Sequence, residues 1–79
     1  MTQVLPAKSV NKVPQFQFAV LSVRKGNDIA DLESSFESEG TAKRLFSSQY
    51  SKWGLTDTNF YLVDWQNQSV LAEHVVWAK

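Results

Sequence analysis

Few side chains in this sequence could do chemistry. His74 is the single histidine, and there is no cysteine. A histidine titrates near neutrality and can serve as a general acid or base. Here it stands mid-strand beside Glu73, whose side chain points to the opposite face, so a structural role fits it better than catalysis. None of the nine serines lies in a strained G-x-S-x-G turn, and a triad would have to be built around His74 alone. The absence of thiols excludes disulfides, iron–sulfur sites, thiolate zinc and a thiol nucleophile. Asp28, Asp31 and Glu33 do not match a calcium loop. The three glycines form no phosphate-cradling cluster. Asn67-Gln68-Ser69 matches the glycosylation triplet, a short pattern without meaning in a cytosolic chain. The expectation is a non-enzyme with no cofactor and no metal.

Recognition chemistry is better represented. Asp28, Asp31, Glu33, Glu37 and Glu39 are five acids within twelve residues, with no base among them. Such a cluster either discourages edge-to-edge pairing of a strand or steers the protein toward a basic surface. Ten aromatic side chains, five Phe, two Tyr and three Trp, supply the other binding chemistry, since each buried ring removes about 150–250 Å² from water.

The elements that position these groups follow from spacing. Residues 1–14 read as a flexible arm interrupted by Pro6 and Pro14, and residues 15–79 as a single domain. Gln15–Arg24 is apolar on both faces, as in an interior strand. Lys25-Gly26-Asn27-Asp28 is a turn. Ile29–Ser38 fits either a strand, with Ala30, Leu32, Ser34 and Phe36 on one face, or a helix, with Ile29, Leu32 and Phe36 sharing a stripe; the hairpin-like turn before it favours the strand. In that reading Asp31, Glu33, Glu37 and Glu39 project together from the other face. Thr41–Trp53 is an amphipathic helix with Ala42, Leu45, Phe46, Gln49 or Tyr50, and Trp53 on its apolar side. Thr41 or Ser38 can cap it, Gly54 suits a left-handed C-cap, and Leu55 can pack back on the last turn. Asn59–Trp65 and Ser69–Lys79 are the remaining strands. In the last, Val70, Ala72, His74 and Val76 face one way and Leu71, Glu73, Val75 and Trp77 the other.

The predicted fold is α+β: a ββαββ two-layer sandwich, a four-stranded mainly antiparallel sheet with one helix on one face. A single helix covers one face, so Tyr61, Val63 and Trp65 with Leu71, Val75 and Trp77 are candidates for an uncovered apolar patch. Either a partner or another copy docks there, or the arm or a curl of the sheet covers it.

Eight basic and eight acidic residues give zero formal charge. That weighs against binding driven by phosphates or anionic lipid. No apolar run reaches the roughly 20 residues of a membrane helix, and the N-terminus lacks the apolar core of a signal peptide. A cytoplasmic location is expected.

In layout, residues Gln15–Lys79 resemble small phage-encoded inhibitor proteins, including some anti-CRISPR proteins and host-polymerase inhibitors. The shared traits are size, lack of cysteine, strands around one helix and a charged patch. No diagnostic motif accompanies them, so no functional residue carries over. The resemblance implies stoichiometric binding and steric blockade of a large host complex, without catalysis.

The sequence therefore reads as a protein-binding module whose partner carries a basic surface. The residues expected to bind are Asp31, Glu33, Glu37 and Glu39, with Tyr61 and Trp65 as aromatic anchors. A homodimer through the free sheet face is a further expectation. The alternative is a single-stranded nucleic-acid binder, with sheet aromatics stacking on bases and Lys25, Lys43, Arg44 and Lys52 on phosphates.

Overall fold

The computed structural model describes residues 9–53 and 56–77, and within them no side-chain surroundings for residues 49, 50, 52 and 53. Its elements are β1 (Ser9–Val10), β2 (Phe18–Arg24), β3 (Ile29–Phe36), α1 (Glu39–Trp53), β4 (Thr58–Asp64) and β5 (Ser69–His74). The strands form one mixed sheet in the order β1-β3-β2-β4-β5, with α1 packed on one face. The α+β class is as the sequence predicts. The strand count differs, because β1 pairs parallel with the start of β3 and makes the sheet five-stranded.

That fifth strand comes from the segment read as an arm. Asn11 donates its N–H to the Ala30 carbonyl at 2.9 Å, and its side-chain oxygen accepts the Leu32 N–H at 3.0 Å. Pro14 is buried. Ser9, Val10 and Asn11 are thus joined to the sheet, while residues 1–8 of the arm expected over 1–14 lie outside the described residues.

The two hairpins, β2–β3 and β4–β5, meet along an antiparallel β2–β4 seam. Strands β2 and β4 are interior, which their two-faced apolar patterns demand. The β2–β3 hairpin closes through a turn in which the Asn27 N–H reaches the Arg24 carbonyl at 2.9 Å. Gly26 sits there at φ +90°, the left-handed conformation glycine adopts without Cβ cost. The ambiguous segment is a strand, ending at Phe36 rather than Ser38.

Helix α1 begins at Glu39, two residues before the predicted start. Ser38 is its cap: the Ser38 carbonyl accepts the Ala42 N–H at 3.0 Å, and its hydroxyl oxygen accepts the Thr41 N–H at 3.4 Å. Glu39 in the first turn complements the helix dipole and pairs with Lys43 at 2.8 Å. The expected C-cap at Gly54 and the packing of Leu55 lie outside the described residues.

Packing divides into two clusters, one on each sheet face. Under the helix, Ala42 and Phe46 pack on Phe18, Val20, Phe60 and Leu62, flanked by Phe36, Leu71 and Ala72. On the reverse face Ala19, Leu21, Val23, Ala30 and Val63 are buried, flanked by Val10, Leu32, Tyr61, Trp65, Val70 and Trp77. The reverse face is therefore covered by the chain's own side chains. Ala19, Leu21 and Val63 are all 0% exposed; of the expected patch, Tyr61, Trp65 and Trp77 are half-buried over them, Leu71 packs toward the helix and Val75 is exposed.

Two bulges redistribute the predicted faces. In β5 the register shifts between Leu62 and Val63, which places Leu71 with Ala72 on the helix side and Val70 on the reverse. In β3 the register runs Val20↔Ser34 and then Leu21↔Leu32, leaving Glu33 as the extra residue. An inserted residue reverses the alternation beyond it. Ala30 and Leu32 thus face the reverse side while Phe36 faces the helix, although they were expected to share one face.

The last strand stops at His74 rather than running to Lys79. Beyond it, the Val76 and Trp77 N–H groups both donate to the Asn59 side-chain oxygen, at 2.7 and 3.0 Å, which draws the chain off the ladder.

Candidate functional site

The helix is too short to cover the whole sheet face on which it lies. Along β2, Phe18 and Val20 are under the helix, and Ser22 and Arg24 continue the same face beyond it. Along β4, Leu62 and Phe60 are followed by Thr58. Ser22, Arg24, Thr58 and Phe60, with Asn27, Asp31 and Glu33, line a cleft of about 310 Å³; among the described residues no side chain of the helix lines it.

Its walls are polar and its floor is aromatic. Ser22 and Thr58 are buried, at 4% and 5% exposure, and Phe60 is 1% exposed. The Ser22 hydroxyl donates to Glu33 Oε2 at 2.6 Å, which holds that carboxylate against the sheet. Thr58 donates its hydroxyl to Asp57 Oδ1 at 3.0 Å. Arg24 leans to the same aspartate, Nε to Oδ2 at 3.6 Å, rather than to the cleft acids. Among the described residues, neither Asp31 nor Glu33 forms an ion pair. Two carboxylates that form no ion pair among the described residues, at the mouth of an open cleft, suit an incoming cationic group.

Asp31 and Glu33 are thus brought together, but the four predicted acids do not share one face. Glu37 follows the end of β3 and lines a separate shallow hollow of about 400 Å³ with Phe16, Ser35, Phe36, Ser38 and Thr41. Glu39 belongs to α1 and is engaged by Lys43. The predicted anchors are on the other side of the sheet. Tyr61 and Trp65 are half-buried on the reverse face, and the Tyr61 hydroxyl accepts a bond from Asn59 Nδ2 at 3.2 Å. Asp31 and Glu33 thus stand on the helix-bearing face and Tyr61 and Trp65 on the reverse face.

His74 is opposite Phe60 in the β4–β5 register, on the helix-bearing face and outside the cleft lining. Among the described residues, no three His, Asp or Glu side chains gather to hold a metal ion, and no helix is long and apolar enough to cross a membrane.

Sequence reasoning passed over Ser22, Thr58, Asn27 and Arg24. The available signal was Ser22 itself, a hydroxyl inside the apolar run of β2. Two buried polar groups were also passed over, and both are structural. Asn59, 3% exposed, also donates from Nδ2 to the Trp77 carbonyl at 2.9 Å. Asp64, 8% exposed, accepts bonds from the Gln17 side chain at 3.2 and 3.3 Å. It also accepts from the Asn67 amide nitrogen at 2.8 Å and the Asn67 N–H at 3.2 Å. Burial pushes the Asp64 pKa up, but donors from Asn67, Gln17 and the Gln66 backbone outweigh it and hold the carboxyl below its ordinary value of 3.8.

No family model, no curated protein and no solved structure matches this chain, so its likeness to others adds nothing to what its own residues say.

Proposed function

We propose that the protein is a non-enzymatic binding module that inhibits or modulates a larger protein complex by stoichiometric occupancy, using the Asp31–Glu33 cleft to take a basic side chain of its partner. The observation that carries this reading is the cleft at the Ser22–Thr58 end of the sheet, where Glu33 is held in place by Ser22 and, among the described residues, neither acid forms an ion pair. The partner's chemistry follows from the lining: a lysine or arginine on a protein surface, its charge met by the two carboxylates. The carboxylates would speed encounter with a basic surface more than they deepen the final affinity.

A charge reversal tests it. Asp31→Lys with Glu33→Lys, in a chain shown folded by circular dichroism, should lose the proteins that a tagged wild-type chain retains. With the partner in hand, the association rate of wild type should fall as salt rises, and the double variant should associate at least about tenfold more slowly at low salt. Retention of the same partner at an unchanged rate would overturn the proposal. The nucleic-acid alternative predicts tryptophan quenching by single-stranded oligonucleotides with a steep salt dependence, and a flat titration would dismiss it.

A further inference from the structure

Arg24 stands between two sets of acids, and strand register puts it there. On one side of β2, Ser22 is opposite Asp31. Arg24, two residues on, is therefore the diagonal neighbour of Asp31 on the same face, a spacing that long side chains bridge. On the other side, Arg24 is opposite Thr58, which Asp57 precedes. Arg24, Asp31 and Glu33 line one cleft, so the guanidinium has a choice of carboxylates.

It takes Asp57, with Nε 3.6 Å from Oδ2. Asp57 is prepared for it. Its carbonyl accepts the Lys25 N–H at 2.7 Å, which pins its backbone to β2. Its Oδ1 accepts the Thr58 hydroxyl at 3.0 Å, which leaves Oδ2 to the arginine. The pair is nonetheless lightly held. Its side chains are 66% and 51% exposed, and the contact runs through one nitrogen rather than the bidentate fork that makes arginine pairs strong. Across β2 lie two carboxylates that form no ion pair among the described residues.

We infer, resting on the cleft as a site for a basic side chain, that Asp57 is a positioning residue: it holds Arg24 off Asp31 and Glu33 and so keeps the cleft open to an external cation. Without the Asp57 charge, Arg24 turns across β2 to the cleft acids. The chain then fills its own site with the chemistry a partner would bring, and a partner must displace an internal arginine to bind. Arginine stays charged at any ordinary pH, so the position of Arg24 is set by which carboxylates compete for it rather than by its own titration.

Asp57→Asn tests this, since it removes the charge and keeps an oxygen for the Thr58 hydroxyl. Glu73→Gln is its control. It removes one negative charge from an exposed residue opposite Tyr61, on the reverse face. In the isotope-labelled full chain, the carboxyl carbon signals of Asp31 and Glu33 should move in Asp57→Asn and stay in place in Glu73→Gln. They should return when Arg24→Gln is added to Asp57→Asn. A blocked tetra-arginine peptide, titrated at low salt, should bind Asp57→Asn about two- to fivefold more weakly than Glu73→Gln, which carries the same net charge. The double variant Arg24→Gln with Asp57→Asn shares the net charge of wild type and should bind the peptide as wild type does. Carboxyl signals unmoved in Asp57→Asn, or a loss of binding that persists without Arg24, would overturn the inference. If the signals move as expected but wild type ignores the peptide, Asp57 still positions Arg24, and it is the reading of the cleft as a site for cations that fails.

Discussion

Asp64 illustrates how much one buried side chain organises. It gathers Gln17, which leads into β2, and Asn67 in the β4–β5 turn. The hydrogen bonds hold the folded-state pKa below 3.8, so the folded chain binds its proton less readily than the unfolded chain. The stabilisation is complete above that value and is lost as pH falls through the lower folded one. Asp64→Ala leaves the donors of Gln17 and Asn67 without their acceptor and should cost about 1–3 kcal/mol near neutral pH. The difference between wild type and variant should narrow as urea titrations move below pH 4. A gap that stays constant into strong acid would show that the charge of Asp64 does not contribute. Asp31 and Glu33 differ from Asp64 in kind: they line a cleft and bind no structural turn, so their removal should affect recognition more than folding.

At the scale of elements, turn chemistry and helix capping were legible because each rests on local residue types. Gly26 at φ +90° is a direct case. A Cβ added there meets nothing within 4 Å, so Gly26→Ala isolates the backbone cost of the left-handed conformation. It should destabilise by about 1–2 kcal/mol with an unchanged denaturant slope. A neutral result would mean the turn relaxes to another form. The interior character of β2 and β4 was legible as well, since only a strand covered on both sides needs an apolar run such as Ala19-Val20-Leu21. The bulges were not. An extra residue at Glu33 or Leu71 is defined by its partner across the ladder, and nothing local in ADLESSF or SVLAEH marks it. For that reason the acids were placed on one face when only Asp31 and Glu33 share it. β1 was hidden similarly, because two residues carry no periodicity and their pairing depends on Asn11 reaching β3.

For the whole molecule, the central question is how one helix and five strands protect both faces of a sheet. The helix seals one face. On the other, Tyr61, Trp65 and Trp77 lie with Val10 and Leu32 over Leu21, Val23 and Val63, a layer of side chains in place of a second layer of secondary structure. Trp77 closes it. Its ring nitrogen donates to the Val23 carbonyl at 3.0 Å, and Asn59 grips its backbone from both sides, taking its N–H and bonding its carbonyl. At about 0.05–0.15 kcal/mol per residue a domain of this size has little stability to lose. Trp77→Phe keeps most of the ring area and removes the bond to Val23, so it should cost about 0.5–1.5 kcal/mol. Trp77→Ala also uncovers Leu21 and Val23. As Trp77 is only half-buried, its cost should fall near the low end of the roughly 3–5 kcal/mol seen for buried rings, with new binding of a hydrophobic dye. Unfolding by urea, followed by circular dichroism, separates the two variants. If Trp77→Ala matched wild type in stability, Trp77 would not be a seal of the reverse face.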